Sequence, residues 1–393
     1  MSNSNTDTEH PAALARDRGQ DVLSQTSEAG RSSRTPIRNH SRTSMGFWIF
    51  DNVMFCPCIE QPKSRPGYFI FSAEKKFVYH PFSKDFGPFN LGVVLKFCEL
   101  LNDILEDQTE NVIVLTCSVS AEACANWAFL LGAFMILCHG RTDAEAWAPL
   151  AAIQADYPRI FRPFRDAINR PQADHVLGLD GCLRGMYRAK RLGWTALDDT
   201  VGSDGYACLE EYDTYDDPRN GDLHIVAPGS DGGKMLVAFK GPVELPDGLQ
   251  YQDRGAVRNF APGYYSGIFR ELGVTTVVRL NSGGYPREAF TEEGFDHHDI
   301  HVDDFQPPNP IDVVRFFRIV RDSPGGVAVH CASGLSRTGT MIALHLIYSR
   351  GFDALAATAW VRIVRPGSIP GEHQHYLVCQ EPILRAAAAA AAA

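Results

Sequence analysis

Apolar residues in this chain gather into short unbroken runs and longer periodic segments, with polar turns between them. Runs over 68–72, 77–79, 111–117, 236–239, 274–281 and 327–330 predict strands, and 295–302 predicts an edge strand. Helical periodicity predicts helices over 123–137, 176–192, 264–272 and 341–348. An amphipathic helix ending near 105 follows the turn at Asp85-Phe86-Gly87-Pro88. Order begins near Phe47-Trp48-Ile49-Phe50, and residues 1–45, polar and without hydrophobic period, read as a disordered tail.

One arrangement occurs twice. A strand ends in a cysteine, a short loop leads to a helix, and a charged turn precedes a tryptophan-bearing helix. The first copy runs through Cys117, Arg141-Thr142-Asp143 and Trp147. The second runs through Cys331, Arg350-Gly351-Phe352-Asp353 and Trp360. Six residues after Cys331 stands Arg337, whereas six after Cys117 stands Ala123. The first copy therefore reads as a duplicate without anion chemistry, and Cys117 as structural.

Composition narrows the picture. A length of 393 residues suggests two or three domains, and 45% hydrophobic with 21% charged residues is ordinary for a globular chain. No apolar stretch reaches membrane-spanning length and the N-terminus is polar, so neither a membrane span nor a signal peptide is expected. The ten cysteines are scattered, and Cys56-Pro57-Cys58 is too tight for a zinc knuckle, which reads as reduced thiols in a cytosolic or nuclear protein. A net charge of −10 argues against nucleic acid and favours basic partners. Arg31, Arg34, Arg38 and Arg42 lie among serines and threonines, and a solvated tail is preferred there over a docking segment.

The candidate chemistry lies in the second copy, as His330-Cys331-Ala332-Ser333-Gly334-Leu335-Ser336-Arg337-Thr338. A strand, a tight loop and a helix aim successive amides and the positive end of the helix dipole at one anion. Such surroundings lower a thiol from about 8.5 by several units, making Cys331 a thiolate and a nucleophile. Gly334 lets the loop curl with its amides inward. Arg337 can clamp two non-bridging oxygens as charge develops, and Thr338 can donate its hydroxyl to the sulfur. Attack of a thiolate on a phosphate ester is the reaction that fits.

These residues resemble the active-site signature of the cysteine-dependent protein tyrosine and dual-specificity phosphatases, and more closely the cell-division-cycle-fourteen branch. Asp85-Phe86-Gly87-Pro88, Pro163-Phe164-Arg165-Asp166-Ala167, Glu210-Glu211-Tyr212-Asp213 and Arg365-Pro366-Gly367-Ser368-Ile369 look like landmarks of that branch. The resemblance implies an α/β fold of two tandem phosphatase-like domains, each a central mixed sheet flanked by helices. The expected organisation is an inactive first domain over 46–195, an acidic linker over 196–224, a catalytic domain over 225–385 and an alanine tail over 386–393.

It also implies roles. Asp304, on a loop stiffened by Pro308, matches the general acid, with Asp303 as its rival, and Gln374 is the candidate for positioning water. At the neighbouring position, where the family has a second glutamine, this chain has His373. The linker acids Glu210, Glu211 and Asp213 are expected to line a groove for a basic residue near the phosphosite. The linker's Asp198, Asp199 and Asp204 otherwise read as solvated charge. The expected substrates are phosphoproteins carrying phosphoserine, phosphothreonine or phosphotyrosine, with phosphoserine-proline sites favoured and a role in cell-cycle or mitotic-exit control. The nucleus and cytoplasm are the expected locations, with nucleolus, spindle and centrosome or basal body as candidate sites.

No cofactor and no metal is expected. The run His297, His298, Asp299, His301, Asp303, Asp304 alternates between the two faces of a strand, which forces no three ligands together. A phosphoinositide phosphatase would want cations where Ala332 and Leu335 stand. A general phosphotyrosine phosphatase and a phosphoprotein-binding pseudophosphatase are the remaining alternatives.

Overall fold

In the computed structural model the described residues are 42–43, 45–167, 175–195, 209–255, 257–304 and 306–392. The expected tail lies outside them apart from residues 42, 43 and 45, as do Arg31, Arg34, Arg38, Asp198, Asp199 and Asp204. No helix among the described residues is long and apolar enough to cross a membrane.

The first half holds strands β1 (Arg42–Thr43), β2 (Gly46–Phe50), β3 (Val53–Pro57), β4 (Tyr68–Phe71) and β5 (Val112–Cys117) in the order β1-β2-β3-β5-β4. Its helices are α1 (Leu91–Asp107), α2 (Ala121–Leu137), α3 (Asp143–Asp156) and α4 (Leu179–Arg191). Strand β5 runs parallel to both neighbours, and Val-Leu-Thr-Cys at its end is buried. An unbroken apolar run is what a strand covered on both faces requires. Helix α2 is buried on every side from Cys124 to Leu137, so its sequence is apolar all round. Its N-terminus is capped by Ser120, and Asn90 and Thr142 cap α1 and α3.

Helix α5 (Leu209–Asp216) leads into the second half. There β6 (Leu223–Ala227), β7 (Leu236–Phe239), β10 (Val274–Arg279), β11 (Asp296–Asp299) and β12 (Gly326–His330) form a sheet ordered β11-β10-β12-β7-β6, while β8 (Tyr251–Arg254) and β9 (Val257–Phe260) form a separate hairpin. Only β6 in the larger sheet is antiparallel to its neighbour. The helices are α6 (Pro262–Glu271), α7 (Glu288–Thr291), α8 (Pro310–Asp322), α9 (Ser336–Arg350), α10 (Ala354–Val364) and α11 (Gly371–Ala392). Helix α11 runs into the alanine run, consistent with alanine's leading helix propensity.

The two halves share one continuous core. Helices α4 and α10 pack so closely that a Cβ on Gly185 would lie 2.8 Å from the Ala356 carbonyl oxygen. Trp194, from the first half, stacks on Phe352 and Trp360 of the second. The repeated tryptophan of the second copy thus serves the junction, with its Nε1–H donating to the Val226 carbonyl at 2.8 Å.

Two expected elements differ. Residues 77–79 form no strand: Phe77 is buried edge-on to Phe97 and the Tyr79 hydroxyl bonds Asp85, so both rings plug the core without a ladder. Residues 42–43, counted with the tail, pair antiparallel with β2. The acidic stretch after 208 is also more ordered than a charge run suggests, because Tyr212 is buried and donates to the Val364 carbonyl at 2.9 Å.

Candidate active site

Strand β12 is fully buried at the centre of its sheet and delivers Cys331 to the start of a tight loop. The thiol is 1% exposed. Gly334 adopts φ +70°, and a Cβ there would lie 2.0 Å from the Phe239 carbonyl oxygen, so no other residue fits this curl without backbone movement. Helix α9 begins with no side-chain cap, unlike α1, α2, α3 and α10. Uncapped first-turn amides can stabilise a bound anion, and the Thr338 amide is among the groups acting on Cys331.

Burial by itself would push the Cys331 thiol up. It is nonetheless lowered, because the Thr338 hydroxyl and amide, the Arg337 charge and the Gly334 amide together outweigh that penalty. The Thr338 hydroxyl makes no hydrogen bond of ordinary length, yet it lies close enough to the soft sulfur to favour the thiolate. The first copy behaves oppositely. Cys117 is pushed far up, first by hydrogen bonding with the Cys124 thiol and then by burial, and the Ser118 amide there donates to the Glu74 carboxylate at 3.0 Å.

Arg337 is buried at the loop's end. It donates through Nη1 to the Val302 carbonyl at 3.1 Å and pairs through Nη2 with Asp304 at 2.9 Å, while Nε has no partner among the described residues. This pair puts the Asp304 carboxylate over the loop. Asp303 instead turns to His301 at 3.1 Å, so the structure brings one of the two rivals to Arg337 and directs the other away. Ser336 Oγ is also buried without a partner among the described residues. Ala332 and Ser333 are exposed, whereas Leu335 is buried.

His330 points away from this concavity. Its Nδ1 faces the Cys331 carbonyl at 3.0 Å and its Nε2 the Tyr285 hydroxyl at 2.7 Å, which also bonds His297 at 2.9 Å. A carbonyl only accepts, so Nδ1 carries the proton and Tyr285 donates to Nε2. Burial holds His330 neutral, down at about 3. Two members of the His/Asp run of β11 are thereby engaged elsewhere, His297 on Tyr285 and Asp299 on Arg279.

Gln374 lies buried on α11. Its Nε2 donates to the Val176 carbonyl of the first half at 3.1 Å, and its Oε1 has no partner. His373, which stands where the family has a second glutamine, bonds Thr340 of α9 at 2.8 Å. On α5, Glu210 is exposed, Glu211 is half-buried with its carboxyl pushed up by burial, and Asp213 pairs with Lys96 at 2.6 Å.

Sequence reasoning assigned no role to Arg365, although it is almost fully buried beneath the loop and bonds Ser333 and Gly334 carbonyls, Asp222 and His224. An arginine before a proline at a helix end carries no local sign that its guanidinium turns inward.

Fold and site together define the class: two tandem protein-tyrosine-phosphatase-like α/β domains, the second carrying a lowered thiol, an uncapped helix and a buried arginine around one loop. Residues 48–189 match the family model for dual specificity protein phosphatase, N-terminal half, and residues 256–351 that for polymorphic toxin system, DSP-PTPase phosphatase. The chain is 36% identical over 337 residues to dual specificity protein phosphatase CDC14AB of Danio rerio, covering 84% of this chain and 51% of that one. It is 34% identical over 355 residues to CDC14C of Homo sapiens, covering 89% and 74%, and 31% identical to tyrosine-protein phosphatase cdc-14 of Caenorhabditis elegans, covering 88% and 48%. This chain belongs to the CDC14 family of dual specificity phosphatases. It spans about half the length of the zebrafish and nematode relatives.

Proposed function

We propose that the chain hydrolyses phosphoprotein monoesters through a phosphocysteine on Cys331. The carrying observation is the buried, lowered thiol at an uncapped helix start beside Arg337, with Asp304 held over it at 2.9 Å from the guanidinium.

The Cys331 thiolate attacks phosphorus while the serine, threonine or tyrosine oxygen leaves, taking a proton from Asp304. The non-bridging oxygens take over Arg337 and the inward amides, which releases Asp304 towards the leaving oxygen. Water then attacks the phosphocysteine, the Asp304 carboxylate accepts its proton, and Cys331 departs as thiolate with Thr338 supporting the sulfur. The unpartnered Gln374 Oε1 supports a water-orienting role for that residue.

Family membership supports dual specificity, action in cell-cycle or mitotic-exit control, and nuclear and cytoplasmic residence. A preference for phosphoserine-proline with a nearby basic residue is what the family resemblance implies, and the acids of α5 support its basic-residue part alone. Because Asp213 already pairs with Lys96, Glu210 and Glu211 are the acids offered to that residue.

The test compares turnover of a phosphoserine-Pro-x-Lys peptide, its phosphotyrosine counterpart and the Cys331→Ser variant. Activity falls to background in Cys331→Ser; full retention would refute the mechanism, and a phosphotyrosine peptide turned over tenfold faster would refute the preference. Glu210→Lys with Glu211→Lys slows basic peptides more than small aryl phosphates, and equal effects would remove the acidic groove.

A further inference from the structure

We propose that Asn90, His224 and Asp216 form a positioning relay, ending in Arg365, through which the first half of the chain sets the shape of the Cys331 loop. This rests on the phosphatase reading above and deepens it to control of the same site.

Arg365 grips the loop from outside. Its Nε donates to the Gly334 carbonyl at 2.8 Å and its Nη2 to the Ser333 carbonyl at 3.1 Å. In a trans peptide the carbonyl and the following amide point in opposite directions. Pinning these two carbonyls outward therefore aims the amides of Gly334 and Leu335 inward. The Gly334 amide is among the groups that lower the thiol. Arg365 touches no reacting atom; it acts through the loop it holds.

What holds Arg365 reaches the other half. Its Nη2 pairs with Asp222 at 2.8 Å, and its Nη1 meets His224 Nδ1 at 2.9 Å. Guanidinium only donates, so Nδ1 accepts and the His224 proton sits on Nε2, which donates to Asp216 Oδ1 at 2.9 Å. Asp216 Oδ2 accepts from Asn90 Nδ2 at 3.0 Å, and Asn90 Oδ1 caps α1 by accepting from the Val93 amide at 3.0 Å. Each link has a single donor–acceptor sense, and His224 and Arg365 are both buried. Asn90 and Asp216 are half-buried, but His224 and Arg365 have no water to turn to, so a shift of Asp216 is felt at Arg365. The acids Asp216 and Asp222 thus belong to the loop's support.

The test inverts one link far from the chemistry. Asn90→Asp keeps the α1 cap, since aspartate accepts the Val93 amide as well as asparagine does, but sets a carboxylate against Asp216. The double variant Asn90→Asp/Asp216→Asn exchanges donor and acceptor across the link while an amide oxygen still accepts from His224. Readouts on the full chain are kcat and KM for an aryl phosphate, the pH dependence of Cys331 alkylation by iodoacetamide read on its peptide mass, and the melting temperature.

Asn90→Asp lowers kcat about tenfold, as a slightly misplaced loop would, and moves the alkylation midpoint to higher pH. The double variant recovers both to within about twofold, the coupling expected of contacting residues. Unchanged kcat and alkylation in Asn90→Asp, or a double variant as impaired as the single, overturns the relay. If Asn90→Asp melts early, Asn90→Ser, which also caps but is too short to reach Asp216, is read by the same criteria. An inactive parent chain would instead overturn the phosphatase reading, and the alkylation profile would still decide the relay.

Discussion

Replacing Asp304 by asparagine separates its two tasks, because asparagine keeps the shape but can neither donate a carboxylic proton nor pair with Arg337 by charge. General acid catalysis is worth about 10²–10⁴-fold, or about 3–5 kcal/mol of barrier. The opposing gain is small. The Arg337–Asp304 pair spans 2.9 Å, but the Asp304 side chain is 65% exposed, so solvent holds its worth below about 1 kcal/mol. Freeing Arg337 for the phosphoryl group therefore improves binding by about fivefold at most. Steady-state kinetics of Asp304→Asn on a phosphoserine peptide should show kcat down about 10²–10⁴-fold and KM lowered no more than about fivefold. A nitrophenyl phosphate, whose leaving oxygen needs less protonation, loses less. Asp303→Asn is the control: that side chain is 77% exposed and turned to His301, so its kcat stays within about twofold. A loss under about threefold in Asp304→Asn, or an equal loss in Asp303→Asn, would refute the assignment.

Gly334→Ala forces a side chain into φ +70° and against the Phe239 carbonyl. It should cost at least about 1–3 kcal/mol in urea unfolding and abolish turnover, and a wild-type-like variant would show that the loop relaxes freely. Acid stability tests the buried histidines. Burial holds His330 and His345 at about 3, whereas an unfolded histidine titrates near 6.5. Below about 6.5 the unfolded chain binds protons that the folded chain refuses, so stability is full above that pH and falls towards pH 3, by about 1.4 kcal/mol per unit for each histidine. Equal urea midpoints at pH 7 and pH 5 would exclude that burial as a determinant.

Cys331, Gly334 and Arg337, the proposed nucleophile, curl and clamp, were legible together because they are close in sequence. A short loop, residues 331–335, between a buried strand and a helix leaves their side chains little choice of neighbour. The same locality is why the first copy, with Ala123 in place of an arginine and without the glycine, reads as lacking the clamp, and the apolar runs of β5, β10 and β12 were plain because a strand buried on both faces admits little else. Patterning failed at residues 77–79, where aromatic residues spaced like a strand serve as core plugs.

Only the tertiary structure separated Asp304 from Asp303, because which carboxylate reaches Arg337 depends on how the chain turns after β11. It alone recruited Tyr285 and His297 behind His330, and Arg365, His224, Asp216 and Asn90 behind the loop. Two of those contacts, Asn90 with Asp216 and His224 with Arg365, join residues more than a hundred positions apart, and local propensity carries no information about any of them. Local sequence was enough to bring a thiol, a glycine and an arginine into one short loop. The packing of two halves on one core decided what holds that loop in shape.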